Sequence, residues 1–290
     1  METPSYENAS QASRIYFLPN LMTAGNLFCG FAAIMSCVEA KFTARIELID
    51  TLSIEIQKTP AQLYERAILF ILAGVVFDSL DGRLARLGGQ ESLFGKEFDS
   101  LADIVTFGIA PALLVMFMLL SPTQDLPVFR LLGWVIGFFY LACSAIRLAR
   151  FNVITSPLLK PDERLPKYDF LGLPVPAAAG TIASIVMVMN RLPEKMIPVA
   201  TFILPPFLLL VALLMVSTVH YPSFKHIDWN TRIKLQTLVL CPLGIFLIYQ
   251  FHYFAIAAIF ISYLIFGISR HLWRMRKPSH PSPEILSGDL

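Results

Sequence analysis

The stretch FDSLDGRLARLGGQESLFGKEFDSLAD, residues 77–103, sets Asp78, Asp81, Asp99 and Asp103 into a chain that is otherwise strongly apolar. Asp78 and Asp81 stand three residues apart, Asp99 and Asp103 four. On a helix either spacing puts both carboxylates on one face. Gly88, Gly89 and Gly95 lie between the pairs and suit a sharp reversal that turns the two faces toward each other. Four carboxylates meeting near a bilayer repel one another and lose their hydration. Divalent cations relieve both penalties, and an all-oxygen ligand set suits Mg²⁺, Mn²⁺ or Ca²⁺. Two such ions sharing four carboxylates form a known arrangement for displacement at phosphorus, which implies a phosphate-bearing substrate. Gly82 and Ala85 fall on the face of Asp78 and let a ligand approach the helix backbone. Arg83 and Arg86 suit bidentate contact with phosphate.

The elements that must position these acids are membrane helices. The chain has 290 residues, 56% of them hydrophobic and only 15% charged, with a mean hydropathy of +0.63. Soluble domains carry about 25% charged residues, so the composition points to a polytopic membrane protein of all-α class. About 20 apolar residues cross a bilayer. By that rule about eight transmembrane helices are expected, over 21–38, 63–83, 98–120, 131–149, 171–189, 197–217, 235–250 and 252–270. The stretches 39–62, 154–169 and 218–234 read as polar loops, and the tails as mobile. No cleavable leader is apparent at the start of the chain. With both ends inside, one side collects Arg83, Arg86, Lys96, Arg147, Arg150, Arg164 and the basic run after residue 270. The other side holds only Lys41, Arg45, Lys58, Arg66, Arg130, Arg191 and Lys195. This bias puts the aspartates and both termini on the cytoplasmic side of the membrane. Cys29, Cys37, Cys143 and Cys241 all lie in apolar runs with no CxxC pair, and read as buried small side chains. Nothing in the composition suggests a nucleic-acid partner. The residues alone leave three chemistries open besides solvated interfacial ion pairs. These are phosphoryl-type transfer, a carboxylate-lined ion transporter, and a Mg²⁺-dependent prenyltransferase, whose acids usually sit in two well-separated motifs.

Asp78-x₂-Asp81-Gly82-x₂-Ala85-Arg86-x₈-Gly95-x₃-Asp99-x₃-Asp103 resembles, at each of its eight fixed positions, the signature of the CDP-alcohol phosphotransferase family. PNLMTAGNLFCGF (residues 19–31), AIRLARFNV (145–153) and FLGLPVPAAAG (170–180) look like the branch that makes phosphatidylserine. None of the five histidines begins the HxK motif of an unrelated lineage with that activity. The resemblance implies a six-helix core with two additional helices. It divides the chain into an N-terminal cytoplasmic segment (1–20), a catalytic membrane core (21–220), additional helices (221–270) and a cytoplasmic tail (271–290). It further implies that Asp78 and Asp99 bridge two Mg²⁺ or Mn²⁺ ions. Asp81 then completes one site and Asp103 the other, with Asp103 also the general base. Gly82, Arg86 and Ser92 would contact the CDP moiety of CDP-diacylglycerol, joined by Asn20, Thr23 and Asn26. Arg147 and Arg150 would hold the carboxylate of L-serine or the reacting phosphate. Members sit among membrane lipids of the inner, cytoplasmic membrane and are often homodimers. Family members that accept glycerol 3-phosphate or an inositol phosphate remain the nearest alternative.

Overall fold

A computed structural model describes residues 16–49, 59–88, 92–120, 127–154, 169–191, 193, 196–222 and 252–276. The chain opens with α1 (Phe17–Ile49) and α2 (Pro60–Gly88). A third helical rod follows, made of α3 (Leu93–Asp103), a π-helical turn (Ile104–Ile109), α4 (Ala110–Val115) and a second π turn (Met116–Leu120). Then come α5 (Pro127–Ile154), β1 (Asp169–Leu171), α6 (Val175–Met189), α7 (Ile197–Val216), β2 (His220–Pro222) and α8 (His252–Arg276).

The apolar sequence faces two environments. Small residues on α1, namely Ala33, Cys37 and Ala40, are buried in one cluster with Leu63, Ala67, Ile68 and Ile71 of α2. Small side chains at such seams let membrane helices approach closely. Cys29, Cys37 and Cys143 are buried free thiols, as expected, while Cys241 lies outside the described residues. Large apolar side chains also point outward on several helices, among them Phe28, Phe31, Trp134, Phe202 and Phe138, the last 71% exposed. Exposed rings spread over several helices would be a liability in water and are ordinary against lipid. Among the described residues four helical stretches are long and apolar enough to cross a membrane: Phe17–Ala44, Leu93–Met118, Leu131–Ile154 and Tyr253–Trp273. Val175–Met189 and Phe202–Val216 are apolar but shorter. α2, expected to span over 63–83, carries Glu65, Arg66, Asp78, Asp81, Arg83 and Arg86 along its length and is not among the four. The candidate span 235–250 lies outside the described residues. The protein is an integral membrane helix bundle.

Three local expectations are revised. Residues 39–49, read as the start of a polar loop, continue α1. EAKFTARIELI is rich in good helix formers, and polarity alone does not end a helix. α2 then begins at a reciprocal cap. The Gln62 amide donates to Thr59 Oγ1 at 3.4 Å and the Thr59 amide to Gln62 Oε1 at 3.1 Å, with Pro60 in the first helical position. Second, α6 starts at Val175 rather than 171, because residues 169–171 form an antiparallel pair with residues 220–222 in the register Phe170↔Tyr221. That pair is the one departure from all-helical structure among the described residues. It ties the start of α6 to the end of α7, aided by the Gly172 amide on the Val219 carbonyl (2.9 Å) and the Leu173 amide on the Leu214 carbonyl (3.0 Å). Gly172 has φ of 76°, and a side chain there would meet the Met215 carbonyl at 2.2 Å, so glycine is required. Third, Gly95 belongs to the first turn of α3 rather than to the reversal.

Candidate active site

α2 ends at Gly88 and α3 restarts at Leu93, so the two helices present their acids from opposite sides of a short connection. The restart is set by Ser92, whose Oγ accepts from the Gly95 amide at 3.0 Å. This is the N-cap geometry expected of serine. One carboxylate oxygen from each of Asp78, Asp99 and Asp103 lies within 4.8 Å of the others. Asp81 stands beside them, buried, with its Oδ2 accepting from Thr23 Oγ1 at 2.9 Å. Asp99 feels the charge of both Asp81 and Asp78. Its Oδ1 is buried with no hydrogen-bond partner among the described residues. A converging set of carboxylates with an orphaned buried oxygen is what a hard divalent cation needs from a protein.

α1 supplies the supports. Thr23 and Asn26 lie three residues apart on an apolar helix, and so share a face. Thr23 holds Asp81, and Asn26 Nδ2 donates to Asp103 Oδ1 at 3.0 Å. Both are expected in the donor pocket, and in the structure each hydrogen-bonds one of the acids. The signal available in sequence was two polar residues at helical spacing in a greasy run. Asn20, one turn earlier on α1, reaches toward the α3 start: its Oδ1 lies 3.4 Å from where a Gly95 Cβ would be, and its Nδ2 is buried without a partner among the described residues.

Below the acids three helices pack closely around Thr106. A Cβ on Gly30 of α1 would sit 2.7 Å from Thr106 Cα, and one on Gly74 of α2 would sit 2.5 Å from Thr106 Cγ2. Thr106 Oγ1 donates to the Asn26 carbonyl at 2.9 Å. In the same π turn the Phe107 carbonyl accepts from Tyr140 Oη of α5 at 3.1 Å. A π turn leaves carbonyls out of the regular ladder, and side chains from neighbouring helices commonly satisfy them.

The two arginines of AIRLARFNV diverge. Arg147 is buried on α5, stacked 5.4 Å over the Phe151 ring, and the charges of Asp103 and Asp78 act on it. Arg150 turns away toward the end of α7, its Nη1 3.5 Å from the Val216 carbonyl. Lys96 Nζ donates to the Asn152 carbonyl at 3.3 Å, and Asn152 Nδ2 to Ser100 Oγ at 2.8 Å, which fastens α5 to α3 beside the acids. Gly82 is half-buried on α2, next to Asp81; Arg86 lies on the last turns of that helix, its side chain outside the described residues.

Residues 16–217 match the model of the CDP-alcohol phosphatidyltransferase family. The chain is 33% identical over 269 residues to the CDP-diacylglycerol–serine O-phosphatidyltransferase of Helicobacter pylori strain 26695, covering 91% of this chain and 94% of that one. It is 34% identical over 178 residues to the protein of the same name from Saccharomyces cerevisiae, covering 61% of this chain and 56% of that one. It is 29% identical over 228 residues to an archaetidylserine synthase of Methanothermobacter thermautotrophicus, covering 77% of each. A two-helix aspartate site built on the full signature, a family match over most of the chain and full-length relatives of one activity agree: this chain belongs to the CDP-alcohol phosphatidyltransferase family.

Proposed function

We infer that this membrane protein is a phosphatidylserine synthase, transferring a phosphatidyl group from CDP-diacylglycerol to the hydroxyl of L-serine with release of CMP. The observation that carries the reading is the convergence of Asp78, Asp99 and Asp103 within a chain whose full-length relatives bear that activity. The serine oxygen attacks the phosphorus that bears diacylglycerol. A phosphorus–oxygen bond forms there, the pyrophosphate bond to CMP breaks, and the hydroxyl proton passes to Asp103. Asn26 keeps the Asp103 carboxylate turned toward that proton. Asp78, Asp81, Asp99 and Asp103 would hold divalent ions, Mg²⁺ or Mn²⁺. When bound, such ions offset the donor's charge and stabilise the leaving phosphate. Gly82, Arg86 and Ser92 are assigned to the cytidine diphosphate end of the donor, with Asn20, Thr23 and Asn26 at the edge of the same pocket. The cleft lies at the cytoplasmic membrane interface, so the acyl chains stay in lipid while cytidine stays in water. Residues 21–220 form the catalytic core in this reading and 221–270 the additional helices, with 235–250 completing about eight spans and both termini inside. A homodimer is compatible with the lipid-facing apolar surface.

The test is purified protein in detergent with CDP-diacylglycerol, Mg²⁺ or Mn²⁺, and isotopically labelled L-serine. CMP release that depends on serine, with label entering lipid, is the expected result. CMP release only with glycerol 3-phosphate or an inositol phosphate reassigns the acceptor within the family, and metal flux without CMP release returns the protein to a transporter.

A further inference from the structure

We propose that Thr106, in the π turn below the acids, is a positioning residue for the transfer: its hydroxyl holds α1 in the register at which the Asn26 side chain aims the Asp103 carboxylate. The inference rests on the phosphatidyl-transfer reading with Asp103 as base, and adds to it a residue that acts only through Asn26.

Three observations carry it. First, the contacts close a circuit. Thr106 Oγ1 donates to the Asn26 carbonyl at 2.9 Å, and Asn26 Nδ2 donates to Asp103 Oδ1 at 3.0 Å. The backbone from Asp103 to Thr106 completes the ring. One residue of α1 is thereby tied to the same rod at two points, by its main chain and by its side chain. A single contact lets two helices roll or slide past each other, and the second removes that freedom. Asn26 and Thr106 are both fully buried, so water does not compete for either bond. Second, the Thr106 hydroxyl is not used within its own helix. Ser36, Ser79, Ser100 and Thr181 each donate to the carbonyl four residues earlier, the usual local habit of helical hydroxyls. Thr106 donates across to α1 instead. The carbonyl it reaches lies inside α1, where the amide four residues on already serves it. The threonine bond is therefore not needed to satisfy that carbonyl; what it adds is alignment.

Third, both branches of the Thr106 side chain sit in gaps that glycine leaves. A Cβ on Gly30 would collide with Thr106 Oγ1. Gly30 stands one turn after Asn26 on α1, so its missing side chain opens the path from the hydroxyl to the carbonyl. A Cβ on Gly74 of α2 would sit 2.5 Å from Thr106 Cγ2 and 3.1 Å from Asn26 Oδ1. A β-branched side chain has few χ1 choices, and these two gaps decide which branch faces which helix. A separate bond, from Tyr140 Oη of α5 to the Phe107 carbonyl at 3.1 Å, holds the same turn without passing through Asn26. Displacing a catalytic group by about 1 Å can cost on the order of 10²-fold in rate, so a residue remote from the chemistry controls kcat through the aim of the base.

The experiment measures kcat and both KM values of the full chain in detergent, following CMP release with the acceptor that supports it. It compares wild type with Thr106→Val, Thr106→Ser, Asn26→Leu, the Thr106→Val/Asn26→Leu double variant and Tyr140→Phe. Thr106→Val keeps the shape and removes the hydroxyl; it is expected to lower kcat about tenfold with both KM values within about twofold. Thr106→Ser keeps the hydroxyl and loses the methyl group, and its kcat is expected within about twofold of wild type. The double variant is expected to be no slower than Asn26→Leu alone, because effects that pass through one residue do not add. Tyr140→Phe removes a bond from the same turn by another route, and is expected to lower the melting temperature while kcat stays within about twofold. Melting temperatures show which variants are folded, and Thr106→Ala read against Thr106→Ser stands in if Thr106→Val is not. Four outcomes overturn the proposal while leaving the activity intact. These are a wild-type kcat in Thr106→Val, a Thr106→Ser or a Tyr140→Phe as slow as Thr106→Val, and a double variant slowed about a hundredfold. A wild-type protein that releases no CMP with any acceptor overturns the transfer reading and the proposal together.

Discussion

The two ends of α2 are both charged, and they have been built in opposite ways. At the N-terminal end every described charge has a counter-charge. Glu65 Oε1 accepts from Arg191 at 2.6 Å and from Tyr253 Oη at 2.9 Å. Arg191 also lies 4.3 Å over the Tyr253 ring. Arg66 is paired with Glu39 and donates from Nε to Ser36 Oγ at 3.0 Å. This end is partly open to solvent, with the Arg191 and Glu65 side chains 47% and 24% exposed. At the C-terminal end the carboxylates of Asp78, Asp99 and Asp103 converge within 4.8 Å, and the charges of Asp103 and Asp78 act on the buried Arg147. A closed cluster of opposite charges fastens helices. A buried cluster of like charges weakens the bare protein and persists because something bound there offsets the repulsion. Partly exposed opposite charges at one end and converging carboxylates at the other thus separate the fastening cluster from the chemical one.

The contrast can be broken in graded steps. Asp103→Asn is expected to lower serine-dependent CMP release by about 10³-fold, the scale of a lost general base. The melting temperature should hold or rise, because one repelling charge is gone. A loss of activity matched by loss of fold would mean that the acid end is structural too. Chelation with EDTA should abolish turnover, and re-addition of Mg²⁺ or Mn²⁺ should restore it. Either ion should raise the melting temperature of wild type and not of Asp99→Asn, since binding to the native state alone stabilises it. Gly30→Ala drives a methyl group into the Thr106 backbone and should destabilise by about 1–3 kcal/mol, read by thermal unfolding, with activity falling because α1 carries Asn26. Asn26→Leu removes the donor to a buried carboxylate and should cut kcat by about tenfold with little change in either KM. Glu65→Gln at the other end should lower stability by about 0.5 kcal/mol, since the pair is partly exposed, and leave CMP release within about twofold.

The acid cluster was legible because its two spacings and its apolar setting are local facts. Asp78, Asp99 and Asp103 meet as the spacing requires, and the membrane character follows from composition. The partners of the acids were harder to assign. Thr23 and Asn26 lie 58 and 77 residues from the carboxylates they hold, and which polar face of α1 meets which acid depends on how the helices pack. Ser92 acquires a local role that sequence can support, an N-cap before a helix, beside the donor contact proposed for it. The split between Arg147 and Arg150 was not legible, because a three-residue offset keeps both on one side of α5 and their different partners depend on how the neighbouring helices pack. The early end set for α1 shows the opposite failing. A charged stretch was read as loop where helix propensity and the Arg66–Glu39 pair keep the helix going.

The π turn at Ile104–Ile109 has a consequence for insertions and deletions. A π turn winds more residues into each revolution than an α turn, so it behaves as one extra residue accommodated without breaking the rod. It sets the rotational phase between Asp99 and Asp103 above and Pro111 to Val115 below, which are buried almost throughout. Removing a single residue from this turn would let the rod relax to uniform α-helix. The upper segment would then rotate about 100° against the lower one. The helix would survive and so would its hydrophobicity, but its carboxylates would face a different neighbour. In this enzyme a one-residue deletion at the turn is therefore a change of aim.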